Sequence, residues 1–314
     1  MISVKEFYRL LLKVSAHLVH QQYLKMHNSI LVSIASYKDV DVVNTIIDLY
    51  KRAEFPSRIF VGLFLQDTPE EISRICGYFS NFPYKENIKI KTISFEEAKG
   101  CGWARNIILN ELYDNEDYFM CVDSHSRFLK KWDSVYIEAY KHAPANSVIS
   151  AFPQSFDFDE TYEQYTRRSI TTIYTPNALP WTNDFRHPHC QKPTTEAYEK
   201  VMSISGGNIF GDTRLAKAIT LDDYSFVHNK EQEIYSLLIY LYGLDIYAIP
   251  QNVVWHKYIV NDSYRDIFSP NQIKYNTDFL SLLKIKETRR TVKEWVELIQ
   301  RDCDACEKTK QLNS

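Results

Sequence analysis

Between residues 30 and 151 the chain repeats one alternation: a short apolar run, then a segment with helical periodicity. The runs 30–35 (ILVSIA), 58–65 (RIFVGLFL), 87–93, 118–122 (YFMCV) and 147–151 have strand length. The stretches 39–52, 69–79, 103–113 and 132–142 place apolar residues three and four apart, as a helix with one buried face requires. Thr68 and Pro69 supply an N-cap and a first helical residue for the second of these. Strands alternating with helices imply βαβ units, hence an α/β fold with a Rossmann-like, mostly parallel sheet flanked by helices. Ligands of such sheets bind at the carboxyl ends of the strands, so motifs that follow a strand are the ones to read for chemistry.

Either side of this core the pattern changes. Residues 4–26 read as a separate helix carrying Phe7, Leu11, Val14 and Leu18 on one face. Residues 152–198 hold Pro153, Pro176, Pro180, Pro188 and Pro193 and read as long loops over the carboxyl-end face. Regularity returns with a strand at 201–205, a helix at 231–242 closed by Gly243, and short strands at 245–249 and 253–255. Residues 278–310 are helical and mixed in charge. The chain therefore divides into an N-terminal helical extension (1–28), a core domain (29–260) and a C-terminal helical tail packed on it (261–314).

Composition narrows the function. With 37 basic and 40 acidic residues the chain has no electrostatic footprint for nucleic acid, which leaves room only for a local basic pocket. Six dispersed cysteines fit free thiols in a reducing, cytoplasmic compartment better than a disulfide framework. Cys303 and Cys306 have metal-ligand spacing but no second pair. Lys5, Glu6 and Arg9 break the opening apolar residues, so no signal peptide is expected, and no stretch has the length and apolarity of a membrane span. Neither a P-loop, a dinucleotide fingerprint nor a nucleophile elbow occurs.

Several motifs sit where the fold class puts ligands. Asp123-Ser124-His125 ends the strand 118–122, so a carboxylate and an imidazole emerge together at a carboxyl end. They read as ligands for a cation that neutralises a leaving diphosphate, or Asp123 caps the next turn. Gly100-Cys101-Gly102-Trp103-Ala104-Arg105 opens a helix whose free N–H groups suit an anion, with Arg105 beside it; a plain glycine-rich loop is the alternative. Ala35-Ser36-Tyr37-Lys38-Asp39 follows the first strand and suits a base and ribose, or is an ordinary turn with Asp39 as a cap. His256 ends a late apolar strand, as a further ligand or as a structural histidine. Gly206-Gly207 permits close backbone approach to a sugar, or forms a turn. Glu231 and Glu233 open a helix, where carboxylates also suit the dipole. His187, His189 and Cys190 resemble a metal cluster but sit in a loop setting that favours a polar surface turn.

Taken in order, these blocks resemble the GlcNAc-transferase family typified by the cytoplasmic enzyme that glycosylates hydroxyproline on Skp1. The matching residues are 34–39 (IASYKD), 100–105 (GCGWAR), Asp123-Ser124-His125-Ser126-Arg127-Phe128, Trp132-Asp133, Phe152-Pro153-Gln154, Gly206-Gly207, the helix from Glu231 and Val253-Val254-Trp255-His256. The resemblance spans about residues 29–260 and implies a GT-A fold, a UDP-sugar donor (UDP-GlcNAc in the best-known members), a divalent cation and retention at the anomeric carbon. It implies Asp123, His125 and His256 as metal ligands, with Mn²⁺ or Mg²⁺ as the ion. Ala35, Ser36, Tyr37, Arg105, Ser124, Gly206 and Gly207 fall to the nucleotide sugar, and Glu231 and Glu233 to the catalytic region. The partners implied are a nucleotide sugar and an acceptor protein, glycan or lipid-linked sugar. Two departures bear on specificity: Asn208 replaces the family's usual aromatic after Gly-Gly, and residues 227–230 (VHNK) lack a glycine, which leaves Glu231 and Glu233 both open. A sugar-nucleotide nucleotidyltransferase and a non-catalytic nucleotide-sugar-binding relative remain the competing readings. The first lacks its glycine-rich loop after strand one, and the second would have no use for three metal ligands.

Overall fold

The computed structural model describes residues 28–169, 171–174, 191–193, 198–221, 231–258 and 288–301. The expected N-terminal helix lies outside these residues, as do His187, His189, Cys190, Cys303 and Cys306.

The expected alternation forms from β1 (Ile30–Tyr37) through α1 (Val42–Arg52), β2 (Ile59–Asp67), α2 (Pro69–Ser80), β3 (Ile88–Ser94), α3 (Cys101–Glu111) and β4 (Tyr118–Asp123). After β5 (Ser126–Phe128) it continues with α4 (Trp132–His142) and β6 (Ser147–Ser150). The Thr68 hydroxyl accepts the Glu71 N–H, so the capping signal read from sequence is used. Next come β7 (Gln154–Ser155), the single turn α5 (Tyr162–Tyr165), and the pair β8 (Thr172–Tyr174) and β9 (Gln191–Pro193). β10 (Glu199–Val201), β11 (Asn208–Asp212), α6 (Thr213–Ile219), α7 (Glu231–Leu241), β12 (Asp245–Ala248) and β13 (Val254–His256) follow. A last helix, α8, covers residues 292–301.

Eight strands form the main sheet in the order β10-β12-β6-β11-β4-β1-β2-β3. Strands β4, β1, β2 and β3 run parallel, as do β6 and β12. The sheet departs from expectation at β11, which runs antiparallel between β4 and β6. The strand expected at 201–205 ends at Val201, and the chain instead reverses through Gly206-Gly207, where the Asn208 N–H donates to the Ser205 carbonyl at 3.0 Å. A two-glycine reversal followed by a short buried run gives little periodic signal.

Apolar layers cover both faces of this sheet. Ala104, Ile108, Leu215, Ile219, Ile234 and Leu238 bring α3, α6 and α7 onto one face. Val42, Ile46, Ile75, Phe79, Trp132 and Tyr136 bring α1, α2 and α4 onto the other. Asp133, fully buried at the start of α4, accepts from Arg58 Nη2 at 2.8 Å and from the Glu54 N–H at 2.7 Å, which ties α4 to the α1–β2 connection. Trp295 of α8 is buried with Met202, Leu237 and Leu241. No helix among the described residues is long and apolar enough to cross a membrane.

Candidate active site at the end of β4

Two sheets meet where β4 ends. Beyond Asp123 the chain enters β5, which pairs antiparallel with β13 so that Ser126 stands opposite His256. The Lys257 N–H donates to the His125 carbonyl at 3.1 Å, and the Phe156 N–H to the His256 carbonyl at 3.2 Å. These backbone bonds hold two imidazoles side by side although 131 residues separate them.

Their ring nitrogens converge. His125 Nε2 and His256 Nε2 are 3.0 Å apart, and Asp123 Oδ2 lies 3.1 Å from His256 Nε2. One donor atom from each of the three residues lies within 4.8 Å of the others, the one such group among the described residues. Asp39 Oδ2 lies 2.5 Å from His125 Nδ1, and a carboxylate only accepts, so the proton sits on Nδ1 and the Nε2 lone pair faces the cluster. The buried His256 Nδ1 has no partner among the described residues.

Behind the donors stands Arg105, 1% exposed at the start of α3. Its Nη2 donates to Asp123 Oδ1 at 2.7 Å and its Nη1 to Glu231 at the start of α7. Asp123 thus offers one oxygen to the guanidinium and the other to the imidazoles. Burial opposes its charge, but the His256 hydrogen bond and the Arg105 charge hold its carboxyl well below the usual range. For Glu231 burial wins over the Arg105 charge, with the Asp123 charge adding to it, and its carboxyl is raised. Burial also opposes the charged form of His125, yet the Asp39 hydrogen bond and the Asp123 charge raise it overall. Asp123 and Glu231 set two carboxylates against one guanidinium, which leaves a field that suits a cation.

The glycine pair gains a use that the sequence did not reveal. A Cβ at Gly207 would lie 2.3 Å from Asp123 Oδ2, and one at Gly206 would lie 2.6 Å from Glu231 Oε1. The space a side chain would take is filled by the site's own carboxylates.

The chain matches the family described as Glycosyltransferase (GlcNAc) over residues 29–82 and 78–311. This chain belongs to that family. The match runs past residue 260, where the motifs stop. No curated protein matches it in sequence. Among solved structures, GalNAc-T7 with UDP, GalNAc and Mn²⁺ is similar at 13% identity with a TM-score of 0.52, over 74% of this chain and 44% of that one. A fragment of S. aureus TarS in complex with UDP-GlcNAc is similar at 13% identity with a TM-score of 0.49, over 76% of this chain and 61% of that one. The chain therefore spans less than two thirds of either structure. The GalNAc-T7 likeness carries the fold, the GT-A arrangement.

In this glycosyltransferase-family chain the residues expected at the site fall as follows. Asp123, His125 and His256 come together, with Arg105, Glu231, Gly206 and Gly207 against them. Ala35 pairs in register with Asp123, and Ser36 and Tyr37 continue β1 just beyond it. The Ser124 hydroxyl donates to Asp39 Oδ2 at 2.6 Å. Glu233 follows Glu231 by two residues on α7 and is half-buried. Asn208 points into the sheet's interior, where its Nδ2 donates to the Ala151 carbonyl at 2.9 Å and its Oδ1 accepts from Tyr136. Asp39, taken from the sequence as a cap, is the residue whose place at the site the motif reading missed. Its signal was its position two residues past the end of β1.

Proposed function

We propose that this chain is a metal-dependent glycosyltransferase that moves GlcNAc from UDP-GlcNAc to a hydroxyl of a protein, glycan or lipid-linked acceptor, with retention at the anomeric carbon. One observation carries the reading: Asp123 and His125 from one motif, with His256 from 131 residues beyond His125, aim a carboxylate oxygen and two imidazole nitrogens at one point beside the end of β4. The donor set fits a divalent cation. Two imidazole Nε2 atoms that face each other at 3.0 Å, with a carboxylate oxygen beside them, form an arrangement that a shared cation satisfies. Asp123, His125 and His256 would hold Mn²⁺ or Mg²⁺, which when bound would neutralise the diphosphate of the departing UDP. Retention follows from the family resemblance alone.

The chain's own residues do the rest. Arg105 fixes Asp123 Oδ1 and so sets the direction of Oδ2. Ala35, Ser36 and Tyr37 lie at the end of β1 adjoining Asp123, where a nucleoside would rest. Gly206, Gly207 and Ser124 border the sugar-phosphate region. Glu231, paired with Arg105, and Glu233 on the same first turn of α7 are the carboxylates we assign to the sugar or the acceptor. Cys76, Cys101 and Cys121 are free thiols, which supports a cytoplasmic setting.

A panel of nucleotide sugars, screened by thermal shift with and without Mn²⁺, tests the proposal. UDP-GlcNAc or UDP is expected to stabilise the chain only with metal, by about 2.7 kcal/mol at a hundredfold excess over Kd. Asp123→Ala and His256→Ala should each remove the metal-dependent part. Equal stabilisation in both variants would overturn the assignment. Binding without turnover of UDP-GlcNAc would make the chain a binding relative, and a requirement for a sugar phosphate plus a nucleoside triphosphate would make it a nucleotidyltransferase.

A further inference from the structure

Asp39 is 6% exposed, and both of its carboxylate oxygens are engaged. Oδ1 accepts the Asp41 N–H at 2.8 Å and closes the turn into α1. Oδ2 accepts the Ser124 hydroxyl at 2.6 Å and lies 2.5 Å from His125 Nδ1. A capping role accounts for the first oxygen only. Asp41, at the N-cap of α1, makes no side-chain cap bond, so the turn does not explain why the second oxygen faces the metal-site loop.

The surroundings hold this contact firmly. Lys38, just before Asp39, has φ 47°, a left-handed conformation that costs a residue with a side chain about 1–2 kcal/mol. Its N–H donates to the Gln66 carbonyl at 3.0 Å, which secures the bend. On the far side of His125, the Thr45 hydroxyl of α1 donates to the Ser124 carbonyl at 2.7 Å and accepts the Ser126 N–H at 2.9 Å. The residues flanking His125 are thus pinned to α1, while its ring is held by the turn that leads into α1.

We propose that Asp39 is a positioning residue of the metal site: its Oδ2 holds the proton of His125 on Nδ1 and fixes the ring plane, so that Nε2 presents its lone pair beside Asp123 and His256. This rests on the metal-site reading above. Outer-shell carboxylates of this kind orient a ligating imidazole and raise its basicity. Ser124 serves the same end one step back, by fixing Oδ2 itself.

The test uses the full chain and has two readouts. The first is ¹⁵N NMR of the histidine rings in metal-free protein, with the His125 signal assigned by its loss in His125→Ala. The second is a Mn²⁺ titration in the presence of UDP, following free Mn²⁺ by electron paramagnetic resonance. Asp39→Asn keeps an acceptor for the Asp41 N–H, so it preserves the turn while removing the charge. It should weaken Mn²⁺ about tenfold, the lower end of the 10–100-fold that outer-shell changes cost. Asp39→Ala should weaken Mn²⁺ toward a hundredfold and mix the two His125 tautomers. Should the alanine variant fail to fold, the asparagine variant alone decides. A native chain that binds Mn²⁺, with variants that match its affinity and its His125 tautomer, would overturn this role for Asp39. A native chain that binds no Mn²⁺ even with UDP would instead overturn the metal site itself.

Discussion

Replacing Gly207 with alanine should separate the site's geometry from the stability of the fold. The added Cβ would lie 2.3 Å from Asp123 Oδ2 and 3.0 Å from its Cγ, where real Cβ contacts stay beyond 3.0 Å. The carboxylate must therefore retreat by about 0.7 Å. Metal–ligand distances tolerate about 0.2 Å, so the retreat is several times what a bound ion permits. Asp123 cannot swing freely either, because Arg105 holds its Oδ1 at 2.7 Å. The clash is with the end of a side chain and not with backbone, so the fold should lose no more than the roughly 1–3 kcal/mol of ordinary overpacking. Function should fall further: misplacing a catalytic group by about 1 Å costs on the order of 10²-fold. Free-Mn²⁺ titration and initial rates of UDP-GlcNAc turnover measure the functional loss, and urea unfolding measures the other. Gly77→Ala is the matched control, since a Cβ there meets nothing within 4 Å and lies mid-helix in α2. It should be neutral or stabilising by up to about 1 kcal/mol. Native metal affinity and turnover in Gly207→Ala would refute the claim that this glycine exists to make room for the Asp123 carboxylate.

Other perturbations follow from the same contacts. Glu231→Gln should retain Mn²⁺ binding, because the three ligands stay, while kcat drops at least tenfold as Arg105 loses one of its two anionic partners; unchanged kcat would remove Glu231 from the catalytic region. Asp133→Asn leaves the buried Arg58 uncompensated and should cost about 3–5 kcal/mol in urea unfolding, with turnover per folded molecule preserved. The Asp245 carboxyl is lowered, because Arg290 and Lys200 outweigh the opposing effect of burial. A group lowered in the folded state adds stability above its unfolded value and loses it as pH falls through the folded one. Asp245→Asn should thus lower thermal stability near pH 7 by up to about 1 kcal/mol, as a partly exposed pair allows, and the gap from native should close below about pH 4. An equal gap at pH 3 and pH 7 would sink that attribution.

The order of secondary elements was legible in the chain because it rests on short-range physics. Apolar runs of strand length, helical spacing and the cap at Thr68 each act within one turn or one strand. The same locality exposed Asp123 and His125, since an apolar strand that stops at a carboxylate announces its own carboxyl end. Motif resemblance then brought His256 into the set as an expectation.

What the sequence could not decide were the encounters across long separations. Arg105 meets Glu231 across 126 residues, and His125 meets Asp39 across 86. These contacts depend on which strands lie side by side, and that order is set by burial summed over the whole sheet and not by any local pattern. The antiparallel insertion of β11 between β4 and β6 shows the same limit: its two-glycine reversal reads locally as a simple turn. Only after β11 is in place does Gly207 face Asp123, so the reason for that glycine is a fact of the folded sheet. Each element rests on contacts a few residues apart, whereas the cluster of Asp123, His125 and His256 is held by strand pairings that form only once the sheet assembles.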